Sequence, residues 1–159
     1  MDKAALTPPR IGSYWQGQGG FYAGTINHQN AGQQWHLIMA VEQNKLAWSD
    51  EYEEVADADD YWDGAANTQA MLATDKSPAA TWAASLNIDG HQDFYIPAQR
   101  ELNLICINAN HLAGKVWHWS STQYSSRCAW SQHFEDGDQL IYGKGTQLAV
   151  RAVRRILVI

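Results

Sequence analysis

The chain has 159 residues, 45% of them hydrophobic, enough for one globular domain with a single core and too few for a second independent one. Its formal net charge is −6, and its 11 Lys and Arg line no stripe, which excludes the basic footprint of a nucleic-acid binder. No stretch reaches the roughly 18 apolar residues of a membrane span, and MDKAALTPPRIGSYW lacks the charged start and apolar run of a secretory signal, so neither membrane insertion nor signal-directed export is expected.

Residues 1–11, with Thr7-Pro8-Pro9, read as an extended entry segment, and 12–159 as the domain. Gly17, Gly19 and Gly20 place a turn before FYAGTI, so a strand starts near Gly20. The apolar QWHLIMAVE, Gln34 to Glu42, reads as a buried strand, joined to the first by NHQNAGQ as a hairpin loop. Asn44 is expected to turn the chain into LAW, a short third strand. The acidic stretch DEYEEVADADDYWDG follows, where Asp57, Asp59, Asp60 and Asp63 offer the hard oxygen ligands that calcium prefers. Its order D-A-D-D-Y-W-D-G departs from the D-x-D-x-D-G of a calcium loop, so a solvated loop is the reading preferred to a metal site.

From Ala65 to Leu86 the pattern is helical: NTQAMLAT is a short run, and Ser77-Pro78 supplies an N-cap with Pro at the first position. Trp82, Ala83 and Leu86 recur at helical spacing. A second helix is expected over Ala98 to Asn108, entered from Pro97, with Leu102, Ile105 and Cys106 as its apolar stripe, broadened by Leu104 and Ile107, and closed by HLAG. After Val116 the period returns to two, with Asp136-Gly137 as a hairpin turn. Alternation in LAVRAVRRILVI puts Arg154 opposite Arg151 and Arg155, a structural arrangement rather than a phosphate site.

Trp117 to Gln139, WHWSSTQYSSRCAWSQHFEDGDQ, crowds three of the eight tryptophans among Tyr, Ser, His and Gln. Rigid aromatics with adaptable polar partners are the makings of a binding loop, while aromatics alternating with polar residues are also what a half-buried strand looks like. Cys106 and Cys128, without CxxC spacing, read as reduced, partly buried thiols, a bridge between them being the alternative; no zinc knuckle is indicated. No HExxH, nucleophile elbow or Ser-His-Asp order is recognisable.

The ordered set GGFYAGTI, WHLIMAVE, DGAANT, PAATWAASL, DFYIPAQRELNLI, WHWSSTQYSSRCAWSQHFEDGDQ and VRAVRR, over roughly Gly12 to Ile156, resembles the Lcl C-terminal domain family of bacterial surface and phage or prophage proteins. Its most specific parts are FYIPAQREL, similar to W-Y-L-P-S-R-x-E-L, and HWSSTQY, similar to Y-W-S-S-T-E-Y. The chain departs from that pattern at Gln123, where Glu is usual, and at Ala98-Gln99, where Ser-Arg is usual.

The resemblance implies an α+β, C-type-lectin-like fold, a small irregular antiparallel sheet flanked by two helices with paired termini. It implies a non-enzymatic receptor-binding role at a phage tail tip or fibre, on a bacterial surface glycan or protein. Localisation would be the virion, or the host cytoplasm before assembly. Other virion proteins are further expected partners and a homotrimer the implied oligomer, although no collagen repeat or heptad stalk is present. Rivals are a structural virion subunit without host ligand and, through sulfatase-modifying-factor relatives, a formylglycine-generating-type oxidase acting through a cysteine pair.

Trp119 to Thr122 read as scaffold, with Trp119 and Trp82 as core aromatics, and Trp117, Tyr124, Arg127, Trp130 and His133 as ligand contacts exposed in neighbouring loops, core packing being the preferred alternative for Trp130. No cofactor is expected, and calcium is the one cation the acidic loop could hold.

Overall fold

A computed structural model describes residues 6–27 and 32–159. It is an α+β structure: one seven-stranded sheet with three α-helices. The strands are β1 (Tyr14–Trp15), β2 (Gly20–Asn27), β3 (Gln34–Ala47), β4 (Trp117–Gln123), β5 (Cys128–His133), β6 (Gln139–Gly143) and β7 (Gln147–Leu157). The helices α1 (Gly64–Ala73), α2 (Pro78–Ser85) and α3 (Gln99–Ala109) lie between β3 and β4 in sequence.

Across the sheet the order is β1-β2-β3-β7-β4-β5-β6. Neighbours are antiparallel except β7 and β4, which meet in parallel at His118 and Ala149. The first and last strands do not pair, against the expectation of paired termini, because β2 and β3 stand between them. β7 is central and buried on both faces, with Val150 and Ala152 on one and Val153 on the other, and its arginines are bonded internally. Val150 and Ala152 enter a core with Met71 of α1, Ala79, Ala80 and Ala83 of α2, Trp48, Phe94, Ile96 and Trp119. Val153 enters a second, with Leu102, Ile105 and Cys106 of α3 against Ala23, Leu37 and Met39.

The helical region divides into three helices, not two. Thr74 caps α1, Asp75 turns the chain through φ +58°, and α2 restarts with Ser77 Oγ accepting from Ala80 N at 3.1 Å. Pro at its first turn follows the sequence reading. The α3 stripe is as expected at Leu102, Ile105 and Cys106, but Ile107 is 68% exposed and lies off it. Trp82 packs half-buried at the rim of the first core, not inside it.

Asn44 turns nothing: β3 runs on to Ala47, so Leu46 and Ala47 of LAW continue it, paired to Leu148 and Gln147. A bulge between Met39 and Gln43 absorbs the irregularity, and Arg151 fills it by donating to Ala40 O (3.1 Å), Val41 O (3.0 Å) and Gln43 Oε1 (2.8 Å). Its two neighbours are equally structural. Arg154 pairs with Asp93 at 2.8 Å, and Arg155 faces Asp63 at 3.3 Å and lies 4.5 Å from the Trp35 ring. Residues 28–31 of the expected hairpin loop fall outside the described residues. Asp136-Gly137 does turn β5 into β6, with Gly137 at φ +82°.

Candidate ligand-binding surface

β4 is a polar run made rigid by burial. Ser120, Ser121, Thr122 and Gln123 are all buried, and each side chain is bonded. Ser120 Oγ donates to Trp130 O (2.7 Å), Asn67 Nδ2 donates to Ser121 Oγ (3.2 Å), and Thr122 Oγ1 donates to Asp60 O (2.9 Å) while accepting from Gln99 N (2.9 Å). Gln123 Oε1 accepts from Val55 N (2.8 Å) and from Lys144 Nζ (2.6 Å), and its Nε2 donates to Val55 O (3.0 Å). Lys144 is fully buried, donates also to Glu53 O (2.7 Å) and lies 4.7 Å from the Trp48 ring. Burial lowers its pKa to about 8. The residues read as scaffold are therefore scaffold, and Gln123 serves a lysine the sequence did not flag.

Of the five expected contacts, Trp117, Trp130 and His133 lie half-buried in strands, not exposed in loops, and they divide between the two faces of the sheet, because successive residues of a strand point to opposite sides. Trp117 is paired with His133, and its half-buried ring meets His133 edge-on at 5.0 Å and Tyr142 at 5.3 Å. On the other face Trp130 is paired with Ile141, and Tyr124, 57% exposed, meets the Trp130 ring edge-on at 5.5 Å. Arg127 is exposed in the turn between the strands, its guanidinium 6.0 Å from the Tyr52 ring.

The same face carries α3 farther along. Gln132 donates to Asn103 (2.9 Å), and Gln99 donates to Gln139 (2.8 Å). Trp130 and Ile141 lie one pleat beyond those anchors, and Ile141 is 38% exposed. Tyr124, Trp130 and Ile141 thus form an open apolar patch at the end of the helix-covered face. The indole Nε1 of Trp130 is buried with no acceptor among the described residues. Ile141 and Tyr52 escaped the sequence reading because only the β5–β6 register and the packing of the loop after β3 bring them to the segment.

The acidic loop runs along the same stretch of β4: Gln123 N donates to Ala58 O (2.8 Å), and Arg100 N donates to Tyr61 O (2.9 Å). Between loop and α3 it leaves an open groove of about 680 Å³, lined by Asp57, Asp59, Asp60, Tyr61, Trp62 and Arg100. The Arg100 guanidinium lies 5.8 Å from the Trp62 ring. Asp60 Oδ1 accepts from Trp62 N (2.7 Å) and Asp63 N (2.8 Å), and Asp63 Oδ1 caps α1 through Ala66 N (2.9 Å). Two of the four carboxylates are thus committed to the backbone. Among the described residues no group of three or more His, Cys, Asp or Glu could hold a metal.

Both cysteines are free thiols. Cys106 Sγ donates to His133 O at 3.9 Å, at one end of β5, and burial pushes its pKa up. Cys128 opens the other end, five residues and roughly 16 Å away at the ~3.3 Å rise of a strand. Those positions do not make a reactive pair.

The chain matches no protein-family model and no curated protein.

Proposed function

We propose that this chain is a non-enzymatic recognition module of C-type-lectin-like architecture, from a phage or prophage tail, that binds a bacterial surface glycan or protein receptor through the Tyr124 patch. The observation that supports the reading is the exposed Tyr124 ring, just past the end of β4, set edge-on against Trp130 of β5 beside the run Ser120 to Gln123, whose side chains are all internally bonded. An aromatic pair held on a rigid base loses little side-chain entropy when a ligand covers it, which is where binding energy concentrates. Arg127 at the adjoining turn adds a planar donor fork that suits a carboxylate or the hydroxyls of a sugar.

The test is a glycan-array and whole-cell binding screen comparing the purified protein with the Tyr124→Ala/Arg127→Ala double variant. Binding that falls at least tenfold, with melting unchanged, is expected. A variant that binds as tightly as the parent removes this surface from the reading.

A second reading has its own observation. β6 ends the sheet order, and its Leu140 and Ile141, on opposite faces, are 50% and 38% exposed. An edge strand with apolar residues on both faces suits packing against a neighbouring subunit, the role of a structural virion component. Light scattering separates the two: a stable oligomer broken by Leu140→Lys, together with a blank binding screen, would favour assembly.

A further inference from the structure

We propose that the groove between the Asp57–Trp62 loop and the start of α3 is a second binding site, distinct from the Tyr124 patch, and that it takes a neutral pyranose unit. Its walls combine two ring systems with charged groups of both signs: Tyr61, 43% exposed, and half-buried Trp62 beside the Asp57 and Asp59 carboxylates and the Arg100 guanidinium. A sugar presents an apolar C–H face and vicinal hydroxyls that each donate and accept. Rings cover the first, and carboxylates and a guanidinium fork satisfy the second.

The alternatives fit less well. A cation would meet the like charge of the Arg100 guanidinium in the groove wall. An anion would face three carboxylates against one guanidinium. A metal would need a ligand group that the described residues do not supply.

The groove is also built in advance of any ligand. Asn67 holds Asp60 from both sides of its peptide, accepting from Asp60 N (3.0 Å) and donating to Asp60 O (2.7 Å). Thr122 donates to the same carbonyl, Arg100 N ties Tyr61 O, and Asp60 Oδ1 fixes the backbone of Trp62. Asp57 turns the loop at φ +66°, a left-handed conformation that Asp adopts more readily than most residues. Such a framework fixes the ring faces and the donor fork relative to one another, which lowers the ordering cost of binding. The volume, about 680 Å³, falls in the range of small-ligand sites.

Titration of the whole protein with the methyl glycosides of glucose, galactose, mannose and N-acetylglucosamine, followed by amide and side-chain NMR, tests this. Dissociation constants of the order of millimolar are expected for a single sugar unit. At least one glycoside should give saturable shifts at Tyr61, Trp62 and Arg100. Those shifts should weaken at least tenfold in Arg100→Gln and vanish in Trp62→Ala, yet survive in Tyr124→Ala. Arg100→Gln carries the test alone if Trp62→Ala fails to fold. Shifts from none of the four sugars, shifts unaffected by Arg100→Gln, or shifts confined to Tyr124, Trp130 and Ile141 would overturn the proposal. Saturable binding of phosphate or choline in the groove in place of sugar would do so too. The Tyr124→Ala/Arg127→Ala screen reports on the first site separately, so failure of either reading is distinguishable from failure of the other.

Discussion

Gln123 is acceptor and donor at once. Its amide oxygen accepts from both Val55 N and Lys144 Nζ, and its Nε2 donates to Val55 O. Glu would keep the acceptor and pair with Lys144 but lose the donor to Val55 O. Ala would leave a buried ammonium and a backbone N–H short of partners. Gln123→Ala is therefore expected to cost about 3–5 kcal/mol in urea denaturation, and Gln123→Glu less than about 2.

His118 offers a pH test. Both ring nitrogens face carbonyls, Val116 O at 2.9 Å and Ala113 O at 3.1 Å, and the ring stacks on Phe134 at 3.9 Å. Burial nonetheless lowers its pKa to about 4 from 6.5. Between those values the unfolded chain binds a proton that the folded chain refuses, so this contribution to stability is lost as pH falls from 6.5 towards 4. Glu101 acts in the opposite sense. Burial raises its pKa to about 7 against the hydrogen bonds from Tyr95, Ala98 and Gly64, so its contribution is present in acid and lost as pH rises from 4.5 through 7. Comparing wild type with His118→Gln cancels Glu101. The wild type should lose about 2–3 kcal/mol more than the variant between pH 7 and pH 4. Equal losses would show that His118 is not the titrating group.

At the scale of the element, burial decides what a tryptophan is worth. Trp119 on β4 is fully buried, with its indole N–H donating to Leu46 O at 3.1 Å, whereas Trp82 on α2 rests half-exposed on the core rim. Both have the spacing of core residues in their own periods, and spacing alone ranks them equal. Trp119→Ala is expected to destabilise by about 3–5 kcal/mol and Trp82→Ala by about 1–2, read from the denaturation midpoints at constant slope. Local signals were strongest where chemistry is local: the Ser77-Pro78 cap, the α3 stripe, the Asp136-Gly137 turn. They failed where an element is shaped by a partner. The β3 bulge exists because Arg151, more than 100 residues on, donates to carbonyls within it, so Asn44 looked like a turn when read alone. Gly20 carries the sequence signal of a turn, yet an added Cβ would sit 2.0 Å from Met39 O, so the need is close strand approach.

Over the whole molecule, β7 joins the two halves of the sheet and feeds both cores. A chain ending before Leu148 should therefore fail to fold, giving collapsed amide dispersion in NMR, because it loses the pairing partner of β3 and of β4 at once. Native-like dispersion in that truncation would show that the halves fold independently. The candidate surface follows the same division between local and long-range information. The aromatic segment and the tight Tyr61-Trp62 pair are visible in sequence. That Trp117 and His133 face away from Tyr124 and Trp130, and that Arg100 lies over Trp62 to form a groove, required the register and the packing of α3.

Sequence by itself determined the α+β class, most of the strands and helices, the scaffold role of Ser120 to Thr122 and the structural use of the three C-terminal arginines. These follow from period, caps and charge alternation, which act over a few residues. Tertiary structure decided the strand order, the split of the expected contacts, the pairing of Lys144 with Gln123 and the groove beside α3. Each of these depends on which separate segments share a face, and pairing across 21 residues, as for Gln123 and Lys144, or across more than a hundred, as for β3 and β7, leaves no mark on local pattern.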